Sequence, residues 1–218
     1  MSETNLIEKT KTFVKKELAD AEGGHDWFHI ERVYKNALLI AKTENVNLQV
    51  VQLAALLHDI ADSKFHNGDE TVGPQKAREF LFGQNVSSEV IEHVVSIIAN
   101  MSFSKSLSEK KLFISPELEV VQDADRLDAI GAIGIARAFN YGGFKNRPLF
   151  NPSIKPNLHM NKAEYKASTA PTINHFYEKL LLLKNKMNTK TGKKLAQNRH
   201  DFMNHYLEQF YAEWNGEK

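Results

Sequence analysis

Two histidines and two aspartates on three separate segments are the residues of this chain best suited to chemistry. His58 and Asp59 adjoin in LAALLHDIAD, where Val51, Ala54, Ala55 and His58 recur at helical spacing, so the imidazole continues an apolar stripe. Asp59 follows before any solvated loop begins. A buried carboxylate without a partner costs several kcal/mol, so this pair calls for a cation or a dense hydrogen-bond shell. His29, in HDWFHIERVYKNA, shares a face with Val33, Asn36 and Ile40, and Arg32 lies one turn further on. Asp125 interrupts a third stripe, of Leu118, Val121, Gln122, Ala129, Ala132, Ile133 and Ala136. A lone histidine on an apolar face is ordinarily a hydrogen-bonded core residue. Three helices that each turn a polar group inward are harder to explain that way. Two imidazoles and two carboxylates form a mixed nitrogen and oxygen set that suits Mn, Fe, Co, Ni or Zn better than Mg. Four protein ligands leave a coordination position for water or substrate, as a catalytic metal requires.

The elements that position these residues read as all-α. Glycines and prolines number 11 and 6 and fall between runs whose apolar residues recur every three or four positions. A first helix places Leu6, Phe13, Val14 and Leu18 together and is expected to end at Gly23-Gly24. A second runs from about Asp26 towards Thr43. Asn47 caps a third, apolar nearly all round and therefore expected at the centre, with His58-Asp59 at its carboxyl end. DSKFHNGDE reads as a loop, followed by a helix near 71–82 and another opened by Ser87 or Ser88. Ser115-Pro116-Glu117 announces a long helix through about Phe139. Residues 141–165, with Gly142-Gly143, Pro148, Pro152 and Pro156, predict an irregular loop long enough to act as a lid. Two amphipathic helices near 171–187 and 189–214 close the chain.

Composition bounds what such a bundle does. At 218 residues a single domain spanning 1–218 is expected, with a core site within 25–130 and helices over 166–215 completing the pocket. Hydrophobic residues at 42% and charged residues at 25% exclude a disordered or membrane-embedded chain. A net charge of +1 argues against a broad basic face for nucleic acid or anionic lipid, so any anion is bound locally. The absence of cysteine excludes disulfides and thiolate metal sites. No secretory or membrane-spanning pattern is visible, and the cytoplasm is the expected address.

The motif order His29, His58-Asp59, Asp125 resembles the signature H…HD…D of the HD-domain superfamily of metal-dependent phosphohydrolases. The strings GHDWFHIERV, LLHDIAD and DADRLDAIGAIGIARAF, with YGGFKNRPLF, are similar to one bacterial subgroup, the YpgQ/YedJ-like proteins. The likeness covers most of the chain. It implies an HD-type helical bundle whose metal ligands are His29, His58, Asp59 and Asp125. It also implies one divalent metal, Mn before Ni, Co, Fe or Zn, and hydrolysis of (deoxy)nucleoside triphosphates to the monophosphate and pyrophosphate. The HH pair that follows HD in two-metal phosphodiesterases is missing.

Around the metal, Asp62 lies four residues after His58 and reads either as a helix-end acid or as a proton carrier. The resemblance places an acid at that offset beside the attacking water. His93, on a face with Ser96, Ile97 and Asn100, reads as a catalytic or phosphate group or as a core histidine. Arg32, Lys64, Arg126, Arg147 and His25 are candidate substrate-binding residues, with Lys145 and Lys179 as further cations, and each also reads as surface charge or, for His25-Asp26, as a helix cap. The expected partner is a small nucleotide, with no stable nucleic-acid complex and no membrane, in a monomer or homodimer. A 5′-nucleotidase and a non-catalytic nucleotide-binding module are the alternatives.

Overall fold

The computed structural model describes residues 3–19, 26–61, 69–101, 113–161, 164 and 167–218. These contain α1 (Glu3–Glu17), α2 (Trp27–Ala41), α3 (Leu48–Leu57), α4 (Val72–Gly83), α5 (Ser88–Ala99), α6 (Pro116–Asp128), α7 (Gly131–Phe144), α8 (Thr172–Glu178), a 3-10 helix (Leu180–Lys186) and α9 (Lys190–Trp214), with no strand among the described residues. The fold is all-α, as the periodicity predicts. Two compact units are present, Met1–Asp125 and Arg126–Lys218.

In the first unit the apolar sequence of α3 puts it in the middle. Val50, Val51 and Leu53 through Leu57 have no more than 1% of their surface exposed. The helix packs against α1, α2 and α5, while α4 lies on α5. Its start is set by the Asn47 side chain, which accepts from the Val50 N–H at 3.2 Å, and Ser87 caps α5 in the same way. Such caps contribute about 1 kcal/mol each by satisfying an end donor. The Asn47 N–H donates to Glu117 Oε1 at 2.8 Å, tying the start of α3 to the start of α6. Phe13 stacks on Phe80 with centroids 4.2 Å apart, and Lys76 meets Glu17 at 2.6 Å, joining α1 to α4. The turn expected at Gly23-Gly24 lies outside the described residues.

The second unit departs from the expected elements at three places. The long helix expected from Pro116 to Phe139 breaks after Asp128: Ile130 is extended and Gly131 takes φ +75°, where a side chain is strained. At Gly134 a Cβ would stand 2.2 Å from the Ala129 carbonyl oxygen, so the backbone approaches too closely there to admit any side chain. The break is braced by Arg137, which donates to Asp128 Oδ2 at 2.5 Å, and by Arg199, which donates to the Leu127 carbonyl. In consequence α7 extends through Tyr141 to Phe144, and irregular structure begins only at Lys145. The helix expected over 171–187 is likewise divided at Lys179 (φ −144°, ψ −58°) into α8 and the 3-10 helix. α9 matches its expected span, with Thr189 accepting from the Gly192 N–H at 2.9 Å. Phe176, fully buried, stacks on Tyr206 at 6.0 Å with Phe139 against both, whereas Phe202 on the same helix as Tyr206 is exposed.

Gly134→Ala should destabilise the protein by about 2–3 kcal/mol through overpacking against backbone, lowering Tm by roughly 4–12 °C in a thermal melt. A pH dependence follows from His175 in α8, whose pKa is pushed down to about 4 by burial first and then by Lys179 and Arg147. The unfolded chain takes up this proton near pH 6.5 and the folded chain only near 4, so the stability concerned is complete above 6.5 and is lost as pH falls towards 4. Urea melts at a series of pH values should show His175→Gln gaining roughly 1–3 kcal/mol on the parent between pH 7 and 4.

Candidate metal centre

His29 occupies the first turn of α2, where Asp26 is the N-cap and its carboxylate accepts the His29 N–H at 2.9 Å. This cap sets where the helix begins and so turns His29 inward, leaving its side chain 3% exposed. Asp26 of the His25-Asp26 pair is thus a capping residue. His58 is the C-cap of α3. Its Nδ1 lies 2.9 Å from the Ala55 carbonyl oxygen. A carbonyl only accepts, so Nδ1 carries the proton and Nε2 keeps a free lone pair. That side chain is 5% exposed.

Asp125 stands near the end of α6. Asn36 of α2 donates to the carbonyl of neighbouring Ala124 at 3.4 Å, holding the two helices together beside it. Asp125 Oδ1 lies 3.6 Å from His29 Nε2 and 3.9 Å from His58 Nε2, and the two rings meet edge-on with centroids 5.4 Å apart. One ligand atom from each of the three residues falls within 4.8 Å of the others. Donors at ~2.1 Å from a common ion stand ~3–4 Å apart, so the spacing fits a divalent cation held by imidazole nitrogen and carboxylate oxygen. Asp125 was expected to face inward, yet its side chain is 43% exposed. One side of the cluster therefore opens to solvent.

The other expected site residues divide. Asp59 follows His58 directly and is half-buried, but it is not one of the three clustered residues. Arg32 sits one turn beyond His29, half-buried. His25, Asp62 and Lys64 lie outside the described residues. His93 is placed elsewhere: its Nε2 is 3.0 Å from Ser115 Oγ and 3.4 Å from Glu117 Oε2, at the opposite end of α6. Eight residues of helix, about 12 Å, separate Glu117 from Asp125. Arg126 donates to the Lys186 carbonyl at 2.6 Å, and Arg147 to the Ser168 carbonyl at 2.5 Å, both within the second unit.

Two supporting groups escaped the reading of the sequence. The Ala55 carbonyl that orients His58 is backbone, which no residue type announces. Glu117 reads in the sequence only as an acid suited to a helix start, and its burial between Asn47 and His93 depends on long-range packing.

The HD domain family matches residues 27–130, which include all four motif residues. The chain is 37% identical to the uncharacterised protein YpgQ of Bacillus subtilis over 96% of its own length and 94% of the relative. Among solved structures it resembles an HD-superfamily hydrolase from Bacillus thuringiensis, with a TM-score of 0.79, 44% identity and coverage of 98% and 99% of the two chains. It also resembles YpgQ of Bacillus subtilis in complex with ADP, with a TM-score of 0.76, 35% identity and coverage of 98% and 97%. The chain therefore belongs to the HD-domain superfamily, and it is a hydrolase of the metal-dependent phosphohydrolase class.

Proposed function

We propose that this protein hydrolyses (deoxy)nucleoside triphosphates at the α-phosphate, releasing the monophosphate and pyrophosphate. The observation that carries the reading is the pair of nearly dehydrated imidazoles facing one solvent-accessible carboxylate. His29, His58 and Asp125, joined by Asp59, hold a divalent cation, with Mn the first choice and Ni, Co, Fe or Zn also suited to the donors. Bound there, the cation acts as a Lewis acid that makes water more acidic and draws charge from a phosphoryl oxygen. The crystal structure of the Bacillus subtilis relative with ADP supports a nucleotide as the ligand.

The chain's own residues divide the remaining work. The Ala55 carbonyl keeps the His58 proton on Nδ1, so Nε2 is ready to ligate without a change of tautomer. The Asp26 cap fixes the rotation of α2 and with it the direction of His29. Asp62, four residues after His58, takes a proton from the attacking water. Arg32, one turn from His29, offers a planar fork to a phosphate oxygen. His93 contributes by holding the start of α6 through Ser115 and Glu117.

Chromatography of a dATP digest should give dAMP and pyrophosphate. Deoxyadenosine with orthophosphate would mark a 5′-nucleotidase, and no turnover above background would mark a binding module. In elemental analysis of purified protein, His58→Ala and Asp59→Ala should lose the metal and their turnover together, and full activity in Asp59→Ala would sink the assignment. Asp62→Asn should retain the metal while turnover falls about 10²–10⁴-fold, the range of general acid–base catalysis.

A further inference from the structure

Phe28 stands beside the metal centre without a packing role. It lies in the first turn of α2, immediately before His29, yet 63% of its surface is exposed and it makes no ring contact among the described residues. Trp27, the aromatic residue before it, is half-buried instead, with Lys15 Nζ of α1 4.6 Å from its ring centroid. A solvated phenyl gains little from burial, and its helix propensity is below that of Ala, Glu or Lys. One exposed apolar residue is ordinary on a protein surface, so what distinguishes Phe28 is its place.

Successive residues of a helix turn by about 100°. Measured from His29, the buried residues Ile40, Val33, Ala37 and Ile30 follow at about 20°, 40°, 80° and 100° on one side, so His29 stands at the edge of the buried arc. On the other side come Asn36 at about 20°, Arg32 at about 60° and Phe28 at about 100°. Asn36 donates to the Ala124 carbonyl, which puts the end of α6 on this side, and the neighbouring Asp125 is the member of the cluster whose side chain is 43% exposed. The open side of the cluster therefore adjoins the flank of α2 that carries Arg32 and Phe28. Phe28 is about 1.5 Å along the axis from His29, whereas Leu39, the other exposed apolar residue of that flank, is about 15 Å away.

We propose that Phe28 is a specificity-determining residue, the platform on which the base of a nucleotide stacks while its phosphates lie towards Arg32 and the cluster of His29, His58 and Asp125. The platform rests on the nucleotide reading of the site and supplies the contact for the part of the substrate that the metal and the cations leave unheld. Arg32 follows Phe28 by one turn, about 6 Å along the axis, so a charged and an apolar contact stand side by side, as a ligand with phosphate at one end and a flat base at the other requires. A phenyl ring has no donor or acceptor and meets a base only through its face, which every base possesses. Selection by Phe28 is therefore for the presence and area of a base, purine before pyrimidine, and not for the pattern of its edge.

Isothermal titration of the manganese-loaded full chain with ADP, CDP and inorganic pyrophosphate tests the platform. Phe28→Ala should weaken ADP about tenfold and erase a preference of a few fold for ADP over CDP, while pyrophosphate affinity and the metal content by elemental analysis stay at the parent's values. Phe28→Trp, which keeps an aromatic face, should hold ADP within about twofold of the parent. Parent-like ADP affinity in Phe28→Ala overturns the proposal, and so does equal weakening of ADP and pyrophosphate, which would make Phe28 a support for the phosphate end. Either result leaves the dATP product analysis untouched. A parent that binds pyrophosphate but not ADP would overturn the nucleotide reading and the platform together, so the two failures are told apart.

Discussion

Two imidazoles held almost out of contact with water around one carboxylate impose the conditions that the first unit has to meet. Stripping solvent from a ring nitrogen or a carboxylate is unfavourable unless a partner replaces the water. His29, His58 and Asp125 come from α2, the end of α3 and the end of α6, far apart in sequence. Their 3.6 and 3.9 Å separations therefore require three helix axes and three helix rotations to agree at once. A shift of one residue in any helix would turn its polar group by about 100° and break the cluster.

Backbone hydrogen bonds supply much of that agreement. The Asp26 cap decides where α2 begins, and the Asn47 cap decides where α3 begins, ten residues before its imidazole is presented at the C-cap. The rigid apolar body of α3 then transmits its position. Each leucine buried there contributes roughly 1.5–3 kcal/mol of hydrophobic stabilisation and leaves little room for rotation. α6 is held at both ends of its run through this unit, by Glu117 and His93 at the start and by Asn36 on the Ala124 carbonyl beside Asp125. The half-exposure of Asp125 distinguishes this cluster from a closed structural site, since a reacting molecule needs a way in.

The second unit obeys a different constraint, close approach of backbone to backbone. Gly131 and Gly134 let the backbone break the helix at close quarters, and Arg137 and Arg199 donate to the Asp128 and Leu127 carbonyls that the broken helix would leave bare. Arg147 and Lys145 both lie near the Tyr141 ring, 5.5 and 5.7 Å from its centroid. Burial first, and then the charges of Lys179 and Arg147, push the His175 pKa down.

Much of this was legible in the residues themselves. Helical spacing of apolar positions and the scarcity of breakers predicted an all-α chain, and Asn47, Ser87 and Thr189 marked helix starts because their side chains satisfy the first free N–H groups. His29, His58 and Asp125 stood out for the same reason, as polar interruptions of apolar stripes. Local signals failed where distant atoms decide. The break after Asp128 looked like continuous helix because its glycines are required by a neighbouring carbonyl and by Arg199, neither of which the local pattern contains. His93 resembled a site residue, and only packing sent it to Ser115 and Glu117. The sequence by itself determined the helical segments, their capped starts and the inward turn of His29 and His58, since those depend on signals along one helix. The tertiary structure alone decided which residues meet, since that depends on the relative placement of helices that no single segment encodes.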